Sequence, residues 1–267
     1  MRTDGPPGGT HERYCSHMAP QKWASGYSIA WTPILTFTRR RLQLLDWLEV
    51  NVEPVSFMED ADQVGFAILD PGLRVLVNRS HLRITVDSAE LDVTHLTKAI
   101  DGVLETLAPQ DAVFEVAASS WSLEIEDADY NEERARVAAE FAGGPKIGDS
   151  RPLDSSVLMD FASPECSTQL EWGIVDAAEL VERVKEPRLG RGRRILRPPH
   201  SDRLPEHVPQ VALFADVVIT RTVGGQVRSS AELISAVHDA DEMAGTIAGA
   251  VFLAHLGRDE HELAQSG

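Results

Sequence analysis

Residues 64–86, VGFAILDPGLRVLVNRSHLRITV, decide the fold class. Two apolar runs, Val64–Leu69 and Leu73–Val77, flank Asp70-Pro71-Gly72. In such a turn, proline presets φ and glycine accepts a positive φ. His81–Val86 then alternates apolar and polar residues, the pattern of a strand with one wet face. Three strands in a row with short connections predict an antiparallel meander. Strands grouped in runs predict an α+β fold rather than a doubly wound parallel sheet.

On the N-terminal side, Ile34, Leu35 and Phe37 read as a short apolar segment. Thr38 is the expected N-cap of a helix with Leu42, Leu45 and Leu48 on one face and Trp47 adjoining. Arg39, Arg40 and Arg41 open that helix, the unfavourable end for cations, and read as solvated. Residues 1–26 are rich in Gly, Pro, Ser and His, show no period, and are expected to be a disordered tail. Met18 is a candidate start within it.

On the C-terminal side, Leu96, Ile100, Val103, Leu104 and Leu107 form the stripe of an amphipathic helix that starts near Asp92 or Thr94 and ends by Pro109. Ala112–Ala117 and Ser120–Glu126 are expected as two strands. Asp129 caps a charged helix over Tyr130–Phe141. The stretch GGPKIGDSRP at 143–152 reads as a linker.

Beyond it the pattern partly recurs. Ser156–Phe161 and Leu170–Val175 are expected strands, and Asp176 caps a helix carrying Leu180, Val181 and Val184. Residues 187–209 read as an irregular basic loop and Val211–Val223 as a long strand. Ser229 and Glu232 form a capping box that opens the longest helix, Ala231–Leu256. The expected organisation is a tail at 1–26, α+β units at 27–145 and 150–257, and a short tail at 258–267. Each unit packs antiparallel strands against amphipathic helices. An internal duplication fits this order, although no residue-level repeat accompanies it.

The chain carries 42 acidic and 25 basic residues, a formal net charge of −17. Such a surface repels nucleic acid and anionic membrane at long range. Arginine outnumbers lysine, in a composition associated with high-GC bacterial proteomes. No stretch reaches the roughly 18 apolar residues of a membrane span, and 1–20 lacks the apolar core of a secretory signal. A cytoplasmic location is expected. Two cysteines, Cys15 and Cys166, lie far apart without zinc-finger spacing, so reduced thiols are expected.

Catalytic motifs are weak. There is no GxxxxGK[ST], GxGxxG, GxSxG or SxxK. Gly224-Gly225, between a strand and a helix, has the context of an anion site but reads as a turn. His238 and Glu242, four apart on the long helix, are the weak metal candidates. An i,i+4 pair of this kind is more often a solvated contact, so no metal and no cofactor are expected. From Arg183 to Arg203 eight bases face two acids, Glu186 and Asp202. Arg188, Arg191, Arg193, Arg194 and Arg197 are the candidate anion- or partner-binding residues of this loop, through the planar donor forks of arginine. Gly245 and Gly249 would let the long helix approach another backbone closely, at a sheet or at a dimer seam.

ALFADVVITR at 212–221 and SSAELISAVHDADEMAGTIAGAVFLAHLG at 229–257 resemble the C-terminal half of a sporadically distributed bacterial family of unknown function. There a strand with a central Asp precedes a long helix with a Leu-x3-His pattern. The matching residues are Asp216, Leu233 or Val237, and His238. The resemblance implies no activity. The expected function is therefore a binding or protein-interaction module rather than an enzyme, with a protein partner or self-association through the long helix. The alternatives are a nucleic-acid-associated protein using the loop 183–203 and, behind it, a metal-dependent hydrolase.

Overall fold

A computed structural model describes residues 19–52, 54, 56–60, 62–68, 72–86, 93–141, 156–185, 208–221 and 225–256. The elements run β1 (Gln21–Ala30), α1 (Phe37–Asn51), β2 (Ser56–Glu59), β3 (Gln63–Ile68), β4 (Leu73–Asn78), β5 (His81–Val86) and α2 (Val93–Leu107). Then follow β6 (Val113–Glu124), α3 (Tyr130–Phe141), β7 (Ser156–Ala162), β8 (Cys166–Asp176), α4 (Ala177–Lys185), β9 (Val211–Arg221) and α5 (Ser230–Leu256). All nine strands form one antiparallel sheet in the order β2-β3-β4-β5-β1-β6-β9-β8-β7. The fold is α+β.

The strand order is nearly symmetric about its centre. β1 and β6 pair at the centre, each followed by a helix; β5 and β9 flank them, each followed by the helix that closes its half. β4 and β8, then β3 and β7, lie further out. Among the described residues β2 and α4 have no counterpart in the other half. The two units expected at 27–145 and 150–257 therefore do not own separate sheets. β6 and α3, assigned by sequence to the first, belong by topology to the second.

One face of the sheet, the front, carries α5 and the other large helices. Tyr27, Phe66, Val75, Ile84 and Phe114 pack there against Phe37 and Leu44 of α1, Leu96, Ile100 and Val103 of α2, and Leu233 and Val237 of α5. Farther along, Leu170, Trp172, Leu213 and Val217 meet Val137 of α3 and Ala244, Ala248 and Phe252 of α5. The alanines of α5 thus face the strands and let the helix lie close; Gly245 meets Trp121, whereas a Cβ on Gly249 would meet no atom of the described residues. α5 belongs to both clusters and ties the halves together. The back face carries α4, whose Leu180 is buried with Trp23, Val175, Ala212 and Phe214.

Several expectations change. Residues 21–26 are not tail: they open β1, the central strand, which is buried on both faces from Lys22 to Ile29. The expected break between Ala117 and Ser120 is absent, and β6 runs unbroken for 12 residues. In α1 the buried positions are Phe37, Leu44 and Leu48, and Leu42 is 55% exposed. The helix starts at Phe37, with Thr36 as an N-cap that makes no side-chain bond. β2 was not foreseen.

Other signals hold. Asp129 Oδ1 accepts from Asn131 and Glu132 N–H at the start of α3. Asp176 Oδ1 accepts from Glu179 N–H at the start of α4. Glu232 N–H donates to Ser229 Oγ, while the Glu232 carboxylate accepts from Arg228 N–H, one residue beyond the standard box. Arg40 and Arg41 of α1 find partners, whereas Arg39 is exposed. Arg40 donates to the carbonyls of Leu107 and Ala108 at the end of α2, and Arg41 pairs with Glu59 at 3.2 Å.

Candidate functional site

β9 carries a buried acid in its middle. Its odd residues from Leu213 to Ile219 point to the front core, so its even residues point back. Asp216 stands in that back row. The register sets it between Ser120 of β6 and Glu171 of β8, three polar residues in line across three strands. Phe214, two residues away, stands between Ser122 and Gly173. The indole N–H of Trp23 donates to Ser122 Oγ at 2.6 Å and closes that end of the row.

α4 supplies the cation. Once Asp176 fixes its first turn and Leu180 anchors it, Arg183 follows one turn later on the same face. Its guanidinium lies 3.9 Å above the centre of the Phe214 ring. Nη1 is 3.2 Å from Glu171 Oε1, and Nε is 3.4 Å from Glu179 Oε1. Nη1 is 3.9 Å from Asp216 Oδ2, beyond hydrogen-bond reach. Tyr130 Oη donates to the other oxygen of Glu179 at 3.3 Å.

Three carboxylates thus share one guanidinium. Asp216 is 5% exposed, and its Oδ2 accepts no hydrogen bond from the described residues. Burial pushes its carboxyl up to about 6; the Ser120 hydroxyl and Arg183 pull it down, and Glu171 pushes it up again. Burial works against the charge of Arg183, but Asp216, Glu171 and Glu179 outweigh it and hold the guanidinium above its ordinary value. The arrangement can hold a proton near neutrality, or accept one more donor at Asp216 Oδ2.

A second polar cluster lies on the front. Asp241 of α5 accepts from Lys22 Nζ and from Tyr27 Oη, each at 2.7 Å. Burial, and then Asp241, push the Tyr27 phenol well above its usual range. Lys22 lies 5.9 Å from the Trp121 ring, whose indole N–H donates to Ser119 Oγ. Trp121 fits against α5 beside Gly245. With both Asp241 oxygens engaged from β1, this cluster reads as a clamp that sets the height of α5 on the sheet.

These are not the residues proposed from sequence. Arg188, Arg191, Arg193, Arg194 and Arg197 lie outside the described residues. Arg183, at the edge of that basic stretch, is not solvated but is the cation of the buried cluster. His238 and Glu242 are both exposed on the outer face of α5. Among the described residues no group of three or more His, Cys, Asp or Glu side chains could hold a metal ion. Gly225 has φ +82° and its carbonyl accepts from Phe114 N–H, the geometry of a turn tied to β6. Cys166 is a half-buried free thiol, with Sγ 3.4 Å from Ser163 Oγ. Among the described residues no helix is long and apolar enough to cross a membrane.

Sequence reasoning placed Asp216 on a strand but gave it no partner. The available signal was one acidic residue inside an otherwise apolar run, ALFADVVI, where a charge is costly unless paired. No family model matches the chain, and no curated protein is detectably similar to it.

Proposed function

We propose that this chain is a binding module that takes a cationic group, the guanidinium or ammonium of a basic protein segment, at the carboxylates beneath α4. One observation carries the reading: Asp216 Oδ2 is buried and accepts no hydrogen bond from the described residues, in a cluster where three acids share one arginine. A buried acceptor left without a donor costs about 1–3 kcal/mol, and such perturbed carboxyls concentrate at functional sites. A donor cation from a partner would satisfy Oδ2 and neutralise excess charge. Arg183, stacked on Phe214, already shows the chemistry that fits: a planar fork on carboxylates with an aromatic ring beneath it. The net charge of −17 adds long-range attraction for a basic partner.

Nucleic acid makes the opposite electrostatic demand, and its candidate residues are the loop arginines. Fluorescence anisotropy separates the two. A labelled arginine-rich peptide and a labelled oligonucleotide of equal length are titrated into the wild type, Asp216→Asn and the quadruple variant R191S/R193S/R194S/R197S. The peptide is expected to bind the wild type and to lose about tenfold or more on Asp216→Asn, the loss of one charge-assisted bond. Salt-sensitive binding of the oligonucleotide that vanishes in the quadruple variant, with the peptide inert, overturns the proposal.

A further inference from the structure

The two halves differ at their outer edges. β3 in the first half pairs with β4 on one side and with β2 on the other. Among the described residues its counterpart β7 pairs with β8 alone and is an end of the sheet. We propose that a second copy of this chain pairs antiparallel on β7, with the twofold axis at Met159, so that one sheet runs through both protomers.

The two sheet ends are guarded differently. β2 also exposes Phe57 and Met58, but it is a four-residue strand, ends in Glu59 and runs into Asp60; short length and charge are the usual protection of an exposed edge. β7 is seven residues long, SVLMDFA, and carries one charge, Asp160. It presents apolar groups on both faces: Phe161, 50% exposed, on the front and Leu158, 41% exposed, on the back. A long edge of this kind templates strand addition.

The register follows from the sequence of the strand. Met159 is its middle residue, so a twofold axis there pairs all seven residues. On the front, Met159 would face the partner's Met159 and Val157 the partner's Phe161, an unbroken apolar row. On the back, Leu158 would face the partner's Asp160. Asp160 is held by Gln169 Nε2 at 2.9 Å and meets no second carboxylate. An axis one residue later would set Asp160 against the partner's Asp160, a like-charge pair that disfavours the register. An isologous contact also closes at two protomers, whereas β2 of one copy on β7 of the next would propagate without end.

The test uses the full chain in enough salt to screen its net charge. Analytical ultracentrifugation is expected to give twice the chain mass for the wild type. The variant Leu158→Lys/Phe161→Lys changes exposed side chains and is expected to give the single mass with an unchanged circular dichroism spectrum and melting temperature. In a Cys15→Ser/Cys166→Ser background, Met159→Cys is expected to form a disulfide-linked dimer under mild oxidation. Phe161→Cys alone is expected not to, and mixing it with Val157→Cys is expected to restore the link. A monomeric wild type, a dimer that survives both lysines, or a link through Phe161→Cys alone overturns the proposal.

Discussion

Nη1 of Arg183 and Oδ2 of Asp216 stand 3.9 Å apart, close enough to attract and too far to bond. The guanidinium is drawn to Glu171 and Glu179, and among the described residues the Asp216 carboxylate on β9 is left with the Ser120 hydroxyl as its donor. Its charged form is therefore under-compensated, which explains why burial prevails and lifts the carboxyl to about 6.

The first prediction follows from linkage. Because the folded value, about 6, lies above the ordinary 3.8, the native state binds more protons than the unfolded chain between those limits. Stability therefore falls as pH rises through that window and is level above it. At about 1.4 kcal/mol per unit the contribution is about 3 kcal/mol. Asp216→Asn carries no such ionisation. Thermal melts at several pH values are expected to show the variant more stable than the wild type at pH 8, with the gap shrinking toward pH 5. A variant less stable than the wild type at pH 8 would show that attraction to Arg183 outweighs burial.

The second concerns Arg183. Arg183→Met keeps the stem over Phe214 and removes the charge shared by three carboxylates. Breaking a buried pair from one side typically costs about 3–5 kcal/mol; Glu171 and Glu179 are partly exposed, so the low end applies. Arg183→Met/Asp216→Leu removes both members and is expected to recover most of the loss. Urea melts of the four members of this cycle measure the coupling. Strict additivity would mean that Arg183 and Asp216 do not sense one another.

Much of this architecture is legible in the sequence, and the misread central strands share one cause. The outer strands β3, β4 and β5 alternate in character, and α2 has one clean stripe, so period alone finds them. The centre of the sheet is different. β1 reads QKWASGYSIA, and the middle of β6 is AASS. With neighbours on both sides and both faces buried, these strands need small residues more than alternation, and so they look like tail and turn. The buried cluster was hidden for another reason. Glu171, Arg183 and Asp216 are spread over 46 residues, and only the register of β8 with β9 and the one-turn offset of α4 bring them together. The loop arginines drew attention because sequence displays density of charge but not its burial.

The third prediction tests the contact between α1 and α2. A Cβ on Gly102 would fall inside the ring of Trp47, closer than real carbon contacts allow. Gly102→Ala would ordinarily favour a helix by about 1 kcal/mol. Here overpacking dominates, and a net loss of about 1–3 kcal/mol is expected in chemical denaturation. The double variant Gly102→Ala/Trp47→Leu opens space for the methyl and is expected to lose less than the sum of the two single changes. A stabilised single variant would show that Trp47 swings aside at no cost.

The fourth tests the N-terminal boundary, where strand geometry replaces the expected tail. Gln21 pairs with Ser122, Lys22 with Trp121 and Ala24 with Ser120, and Lys22 also holds Asp241 of α5. A chain beginning at Met18 keeps all of these contacts and is expected to melt within about two degrees of the full chain. A chain beginning at Tyr27 loses the first six residues of β1, the indole bond of Trp23 to Ser122 and the ion pair of Lys22. It also uncovers the edge of β6 in the middle of the sheet. That variant is expected to be insoluble or to melt far lower. Lys22→Met in the full chain isolates the ion pair, since it leaves the strand intact and removes one of the two donors to Asp241. Equal melting of all four proteins would place the start of the folded chain after residue 26 and return β1's first turns to the tail.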